Sequence, residues 1–96
     1  MFQIIVSPRA WRDFFDIFGY IERDNSVAAS EFGIALLKQI ELLATFPNIG
    51  APVRQRRGVR KLLYTPIRIY YRLDSSSKVV EILHFWHAAR KEPEDL

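Results

Sequence analysis

The chain reads as an α+β fold in which a helical hairpin packs on a mainly antiparallel four-stranded sheet, in the order β-α-α-β-β-β. Three observations carry this reading. Between Pro8 and Phe46 apolar residues recur with the period of a helix. After Pro47 the pattern changes to runs rich in β-branched and aromatic residues. The joints between those later runs are short, which implies antiparallel pairing. Ninety-six residues with a hydrophobic share of 49% can bury one core and not two. A single domain over residues 1–96 is therefore expected, with 91–96 as a frayed tail.

Each element follows in order. Phe2 to Val6 is a short apolar run that reads as a buried strand, ended by Ser7-Pro8. Ser7 suits a helix N-cap and Pro8 the first helical position. Ala10, Phe14, Ile17 and Ile21 then recur at helical spacing, with Trp11, Phe15 and Phe18 widening the stripe. This first helix should reach about Glu22, and its aromatic stripe reads as core. Asp24-Asn25-Ser26 is a turn and cap cluster, after which Val27, Ala29, Phe32, Leu36, Ile40, Leu43 and Phe46 mark a second helix that Pro47 stops. So short a connection predicts an antiparallel hairpin. Beyond a Pro-Gly loop and the basic stretch Arg54 to Gly58, strands are expected at Val59 to Tyr64, Ile67 to Leu73 and Val79 to about His87.

Alternation assigns faces. Ile67, Ile69, Tyr71 and Leu73 point one way and Arg68, Tyr70 and Arg72 the other. In the last strand, Val80, Ile82 and Trp86 are expected on one face and Val79, Leu83 and Phe85 on the other. A strand apolar on both sides needs a cover on both, and in so small a protein a partner chain could supply the second.

Composition narrows the chemistry. There is no cysteine, so disulfide frameworks, zinc knuckles and thiol nucleophiles are excluded, which fits a reducing compartment. The start lacks a signal-peptide pattern and no apolar run approaches the length of a membrane span, so a cytoplasmic location is expected. The net charge of +3 is uneven: residues 1–50 carry four basic and six acidic side chains, residues 51–96 ten and five. Arg54 to Arg72 holds seven basic residues and no acid, a block that attracts phosphate or an acidic protein.

His84 and His87 invite a metal, but three positions apart on a strand they face opposite sides, so neither a metal nor a cofactor is expected. His84 reads as a half-buried ring. His87 lies where the strand runs out, able to exchange a proton near neutrality, with Arg90 close enough in sequence to orient a phosphate. A plain surface or capping role competes with that reading. Arg54, Arg56 and Arg57 fit a solvated loop and an anion site equally well, whereas Arg68 and Arg72 sit inside a strand on the face away from Ile67 and Ile69. No Ser-His-Asp spacing, glycine-rich phosphate loop or carboxylate pair is present. An enzyme built from this set would handle phosphoryl transfer at RNA with Arg, Lys, His and Tyr.

Five pieces in order resemble the RelE/ParE superfamily of toxins from type II toxin–antitoxin systems: Phe46-Pro47-Asn48-Ile49-Gly50, Gly58-Val59-Arg60-Lys61-Leu62, Arg68-Ile69-Tyr70-Tyr71, the run Val80 to Phe85, and Trp86-His87-Ala88-Ala89-Arg90. The resemblance covers nearly the whole chain. It implies a toxin held inactive by a cognate antitoxin whose tail wraps it, as in plasmid stabilisation systems. RelE-like members cleave mRNA in the ribosomal A site with basic residues on the concave sheet face and often a C-terminal His or Tyr. ParE-like members poison DNA gyrase. Arg68 matches the strand arginine shared across the superfamily, while the Phe-Pro-x-x-Gly loop and the Trp-His-Ala-Ala-Arg ending are more similar to the ParE branch. No Tyr follows Tyr71, a departure from nuclease members that end on a catalytic Tyr.

The resemblance thus implies, first, inhibition of DNA gyrase by binding, without catalysis. The alternative is a ribosome-dependent mRNA endonuclease with Arg68 and His87 as catalytic residues and the ribosome and mRNA as partners. In either case Arg60, Lys61, Arg72 and Arg90 are candidates for holding phosphate or target. A third class, a non-toxic nucleic-acid-binding module, accounts for the basic block alone.

Overall fold

The computed structural model describes residues 1–88 and Pro93. In chain order it contains β1 (Gln3–Val6), α1 (Pro8–Glu22), α2 (Ser26–Thr45), β2 (Ala51–Pro52), β3 (Val59–Tyr64), β4 (Ile67–Asp74) and β5 (Val79–His87). The strands form one sheet in the order β1-β5-β4-β3-β2, with β1 parallel to β5 and every other pair antiparallel. The α+β class and the hairpin on the sheet are as expected. The difference is β2, a fifth, two-residue strand that pairs Ala51 with Lys61 and Pro52 with Arg60 at the far edge. Two residues carry no alternation to read, and proline is tolerated there because an edge strand leaves one side unpaired. Among the described residues no helix is long and apolar enough to cross a membrane.

Both helices start on side-chain caps. Ser7 Oγ accepts from the Ala10 N–H at 3.0 Å with Pro8 opening the first turn, and Asn25 Oδ1 accepts from the Ala28 N–H at 2.9 Å. Such caps contribute about 1 kcal/mol each. α1 buries Ala10 and Phe14, and α2 buries Ala29, Gly33, Leu36, Ile40 and Leu43. Gly33 lies at the helix contact, where a Cβ would stand 3.2 Å from the Phe14 ring. The aromatic stripe of α1 is only partly core, contrary to its sequence reading. Phe14 is buried and Ile17, Phe18 and Ile21 half-buried, but Trp11 and Phe15 are exposed and stack on each other at 5.8 Å. Neighbouring helical positions lie about 100° apart, so Phe14 and Phe15 cannot both face the sheet. Val27 and Phe46, at the two ends of α2, are exposed as well.

The main core lies between the hairpin and the sheet: Ala10, Phe14, Leu36, Ile40 and Leu43 meet Ile67, Ile69, Tyr71, Val80, Ile82 and Phe85. Burying a side chain the size of Phe or Ile contributes roughly 1.5–3 kcal/mol, so this layer dominates stability. β1 differs from its reading as a buried strand. It is an edge, with Gln3 and Ile5 exposed and Ile4 and Val6 half-buried.

The faces of β5 also differ from simple alternation. Tyr70 pairs with His84 and Tyr71 with Ile82, which leaves Leu83 as an extra, bulged residue. A bulge resets the parity of the strand beyond it. Phe85 therefore joins Val80 and Ile82 in the main core, and Trp86 joins Leu83 against a second cluster formed by Val53, Val59 and Tyr70 on the other face. The second cover of β5, expected from a partner, comes in part from the chain's own residues 53–59.

β1 pairs only with Val79–Ile82, so the rest of β5 needs another neighbour on that edge. The start of α1 supplies it. The Ser7 N–H donates to Ile82 O at 3.0 Å and Ser7 Oγ to Leu83 O at 3.3 Å. The Asp13 carboxylate accepts from the Phe85 N–H at 3.2 Å and lies 3.2 Å from Nδ1 of the buried His84. At the opposite end of the hairpin, the β4–β5 turn is closed by Asp74, whose carboxylate accepts from Ser76 Oγ at 2.7 Å and from the N–H groups of Ser76 and Ser77 at 3.0 and 3.2 Å.

Two outcomes follow from these contacts. Asp13→Ala should cost roughly 1–3 kcal/mol in denaturant unfolding and speed exchange at the Phe85 amide, because a buried edge donor loses its acceptor. Unchanged exchange at Phe85 would refute this role. The three hydrogen bonds, led by the Ser76 hydroxyl, lower the Asp74 carboxyl from 3.8 to about 2. The turn is thus favoured above pH 3.8, and that contribution is lost as pH falls towards 2. A carboxyl titration by NMR should place the Asp74 midpoint near the lower value and shift it upward in Ser76→Ala; a wild-type midpoint at 3.8 contradicts the assignment.

Candidate functional site

Strand register separates two groups of side chains that the sequence places close together. Arg68 stands opposite Leu63 of β3 and Trp86 of β5, on the sheet face away from the helices. Lys61, opposite Tyr70, and Arg72, opposite Val59, share that face. Arg68 is half-buried and held in place: one terminal nitrogen donates to the Tyr70 hydroxyl at 3.0 Å and the other to the carbonyl of Ala88 at 3.3 Å. A planar guanidinium fixed in this way presents its remaining donors in a set direction, which suits a phosphate or carboxylate. Arg72 is exposed and lies 3.6 Å from Glu81, a surface pair worth at most about 1 kcal/mol. The open face is therefore a basic diagonal across β3 and β4, rising from the small apolar cluster of Val53, Val59, Tyr70, Leu83 and Trp86.

His87 is on the other side. It pairs with Ile67, whose side chain belongs to the helix-facing core, and it lines a groove of about 590 Å3 with Ile17, Tyr20, Ile21, Phe32 and Phe85. Asp13 and Asp16 of α1 border the same groove. The two residues that a nuclease reading makes a catalytic pair thus lie across the thickness of the sheet from each other. Arg90 falls outside the described residues. Among the described residues no group of three or more His, Asp or Glu side chains comes together as a metal site.

Arg60, a candidate phosphate ligand by sequence, has structural work instead. Its Nη1 donates to Gly50 O at 2.7 Å and to Asn48 O at 3.2 Å. From the core beneath, the buried Tyr71 hydroxyl donates to Pro47 O at 2.7 Å and accepts from the Gly50 N–H at 3.0 Å. Gly50 itself has no room for a side chain, since a Cβ would lie 2.8 Å from Lys61 O and from the Tyr71 ring. Together Tyr71, Arg60 and Gly50 clamp the Phe46–Gly50 loop onto β3. The sequence signal for this clamp was the Phe-Pro-Asn-Ile-Gly motif, but nothing in it named Tyr71 as the partner 21 residues on. Asp13 was missed in the same way, because its helical position carries no trace of the strand edge it completes.

Comparison with known proteins follows from this geometry. The sequence model of the ParE toxin of type II toxin–antitoxin systems matches residues 4–92. No curated protein sequence matches the chain significantly. Among solved structures, the chain is similar to one from the chromosomal ParDE toxin–antitoxin system of Pseudomonas aeruginosa, at 20% identity and a TM-score of 0.77, covering 91% of this chain and 96% of that one. It is also similar to a chain of the RelBE2 toxin–antitoxin complex from Mycobacterium tuberculosis, at 24% identity and 0.61, covering 90% and 96%. The isolated RelE toxin of E. coli matches at 18% identity and 0.65, covering 96% and 89%. At these identities the structural likeness establishes the fold.

The clamp gives the site a measurable signature. Burial raises the Tyr71 hydroxyl above its ordinary value of 10.0, against smaller opposing effects of the Gly50 N–H and the Arg60 charge. The folded chain thus favours the neutral phenol, whose contribution is full below pH 10.0 and is lost as pH rises above it. Tyr71→Phe should cost roughly 1–3 kcal/mol at neutral pH by stranding Pro47 O and the Gly50 N–H, and should flatten the alkaline loss of stability. A variant with unchanged stability and an unchanged alkaline limb would show that the clamp carries no energy.

Proposed function

The chain belongs to the family of ParE toxins of type II toxin–antitoxin systems, and we propose that it acts by binding and inhibiting DNA gyrase until a cognate antitoxin neutralises it. The observation that carries this reading is the separation of Arg68 from His87 by the sheet. General acid–base cleavage of RNA needs a proton-transfer group within hydrogen-bond reach of the phosphate that an arginine holds. With Arg68 on the open face and His87 in the helix-side groove, the two cannot act on one phosphate in this arrangement. A binding function makes no such demand. The fixed Arg68, with Lys61 and Arg72 beside it, supplies an electrostatic contact for an acidic or phosphate-bearing target.

Support for an antitoxin partner comes from both sides of the comparison. The matched chains of known structure include toxins described in complex with an antitoxin. On this chain, Trp11, Phe15 and Tyr20 leave α1 with aromatic surface that a lone small domain does not cover. A cytoplasmic site of action is part of the same proposal. The second reading, a ribosome-dependent mRNA endonuclease, is favoured by one observation: a basic row of Lys61, Arg68 and Arg72 on an open sheet face suits a nucleic-acid backbone.

Purified chain added to gyrase and relaxed plasmid should block supercoiling. His87→Ala should leave the inhibitory concentration within about two-fold, while Arg68→Glu should raise it roughly ten-fold or more by reversing the open-face charge. Full supercoiling at excess wild-type chain would sink the gyrase reading.

A further inference from the structure

The clamped loop presents apolar side chains to solvent. Leu42, Phe46 and Ile49 are 42%, 58% and 50% exposed. They are spaced four and three residues apart, and the backbone joins them: the Phe46 N–H donates to Leu42 O at 2.8 Å and the Ile49 N–H to Phe46 O at 3.2 Å. The three therefore line up as one apolar strip running off the end of α2. Single exposed hydrophobics are common on any surface, but a contiguous strip is not.

The backbone that carries this strip is held with unusual completeness for a surface loop. Pro47 O, Asn48 O and both the N–H and C=O of Gly50 are bound by Tyr71 and Arg60, and Gly50 is wedged where no other residue fits. Surface loops ordinarily satisfy their backbone with water and move. Fixing such a loop while leaving its largest side chains in solvent is the arrangement of a preorganised contact, in which the cost of ordering the loop has been met before a partner arrives. The surrounding charge indicates what that partner looks like. Residues 42–61 contain five basic side chains and no acidic one.

We infer that Leu42, Phe46 and Ile49 form a rigid apolar knob that docks into an apolar pocket with an acidic rim on the protein the toxin inhibits. The inference rests on the proposed reading that the chain acts by binding a protein target, and it adds a second contact to the Arg68 face.

The test uses the full-length chain with Phe46→Ser and Ile49→Ser together. Two readouts are taken beside the melting temperature: growth arrest on induced expression, and inhibition of gyrase supercoiling. The expected result is relief of growth arrest and a rise of about ten-fold or more in the inhibitory concentration, with the melting temperature preserved. Wild-type growth arrest from a folded variant overturns the knob, whichever enzyme is the target. A wild-type chain that arrests growth but leaves gyrase untouched removes the gyrase reading alone, and growth arrest then decides the knob. A wild-type chain with neither effect overturns both. A wild-type dimer that the substitutions dissociate would assign the strip to a second copy and overturn the proposal. If the serine pair lowers the melting temperature, Ile49→Thr, a near-isosteric change that keeps Phe46, reads the same effect at roughly three-fold.

Discussion

The antiparallel pairing of β4 with β5, interrupted once at Leu83, is the constraint on which the rest of the molecule depends. Side chains alternate along paired strands, so the register decides which residues share a face and which are kept apart by the backbone. The single extra residue turns Phe85 into the helix-facing core beside Phe14 and turns Trp86 outward beside Leu83. It also leaves the far half of β5 with an edge that β1 is too short to reach. Ser7 and Asp13 close that edge from the first turns of α1, which fixes the hairpin to the sheet through hydrogen bonds as well as through the apolar layer.

The same register sorts the functional side chains. On the open face, Arg68 is held by Tyr70 and Ala88, with Lys61 and Arg72 along the diagonal. Across the sheet, His87 shares a groove with α1. Beside β3, Arg60 is committed to the loop that Tyr71 holds from below. An arginine engaged by two neutral carbonyls serves the fold first, whereas one aimed at the open face of the sheet serves recognition. Sequence position alone does not separate the two kinds.

That difference explains what could be read in advance. Caps, helix period and strand alternation are local, and Ser7, Asn25, Pro47 and the alternation from Ile67 to Leu73 each marked their element correctly. β2 has no period to show. The Leu83 bulge depends on how β5 meets Tyr70 and Tyr71 across the hairpin, so alternation carried past it put Phe85 and Trp86 on the wrong faces. Trp11 and Phe15 were read as core because an aromatic residue on a helix usually is. Their exposure reflects the width of the stripe that the sheet can accept. Arg68 and its face were legible from parity, and the isolation of His87 from it was not, because proximity in sequence suggested a shared site.

The account's central claim is that this chain acts by binding, with Arg68 and His87 serving separate surfaces. The most direct test is cleavage of mRNA on programmed ribosomes by the purified chain, read as new 5′ ends at the A-site codon. The account predicts no cuts, for wild type and for Arg68→Ala and His87→Ala alike. Codon-positioned cuts that disappear in both variants would contradict it.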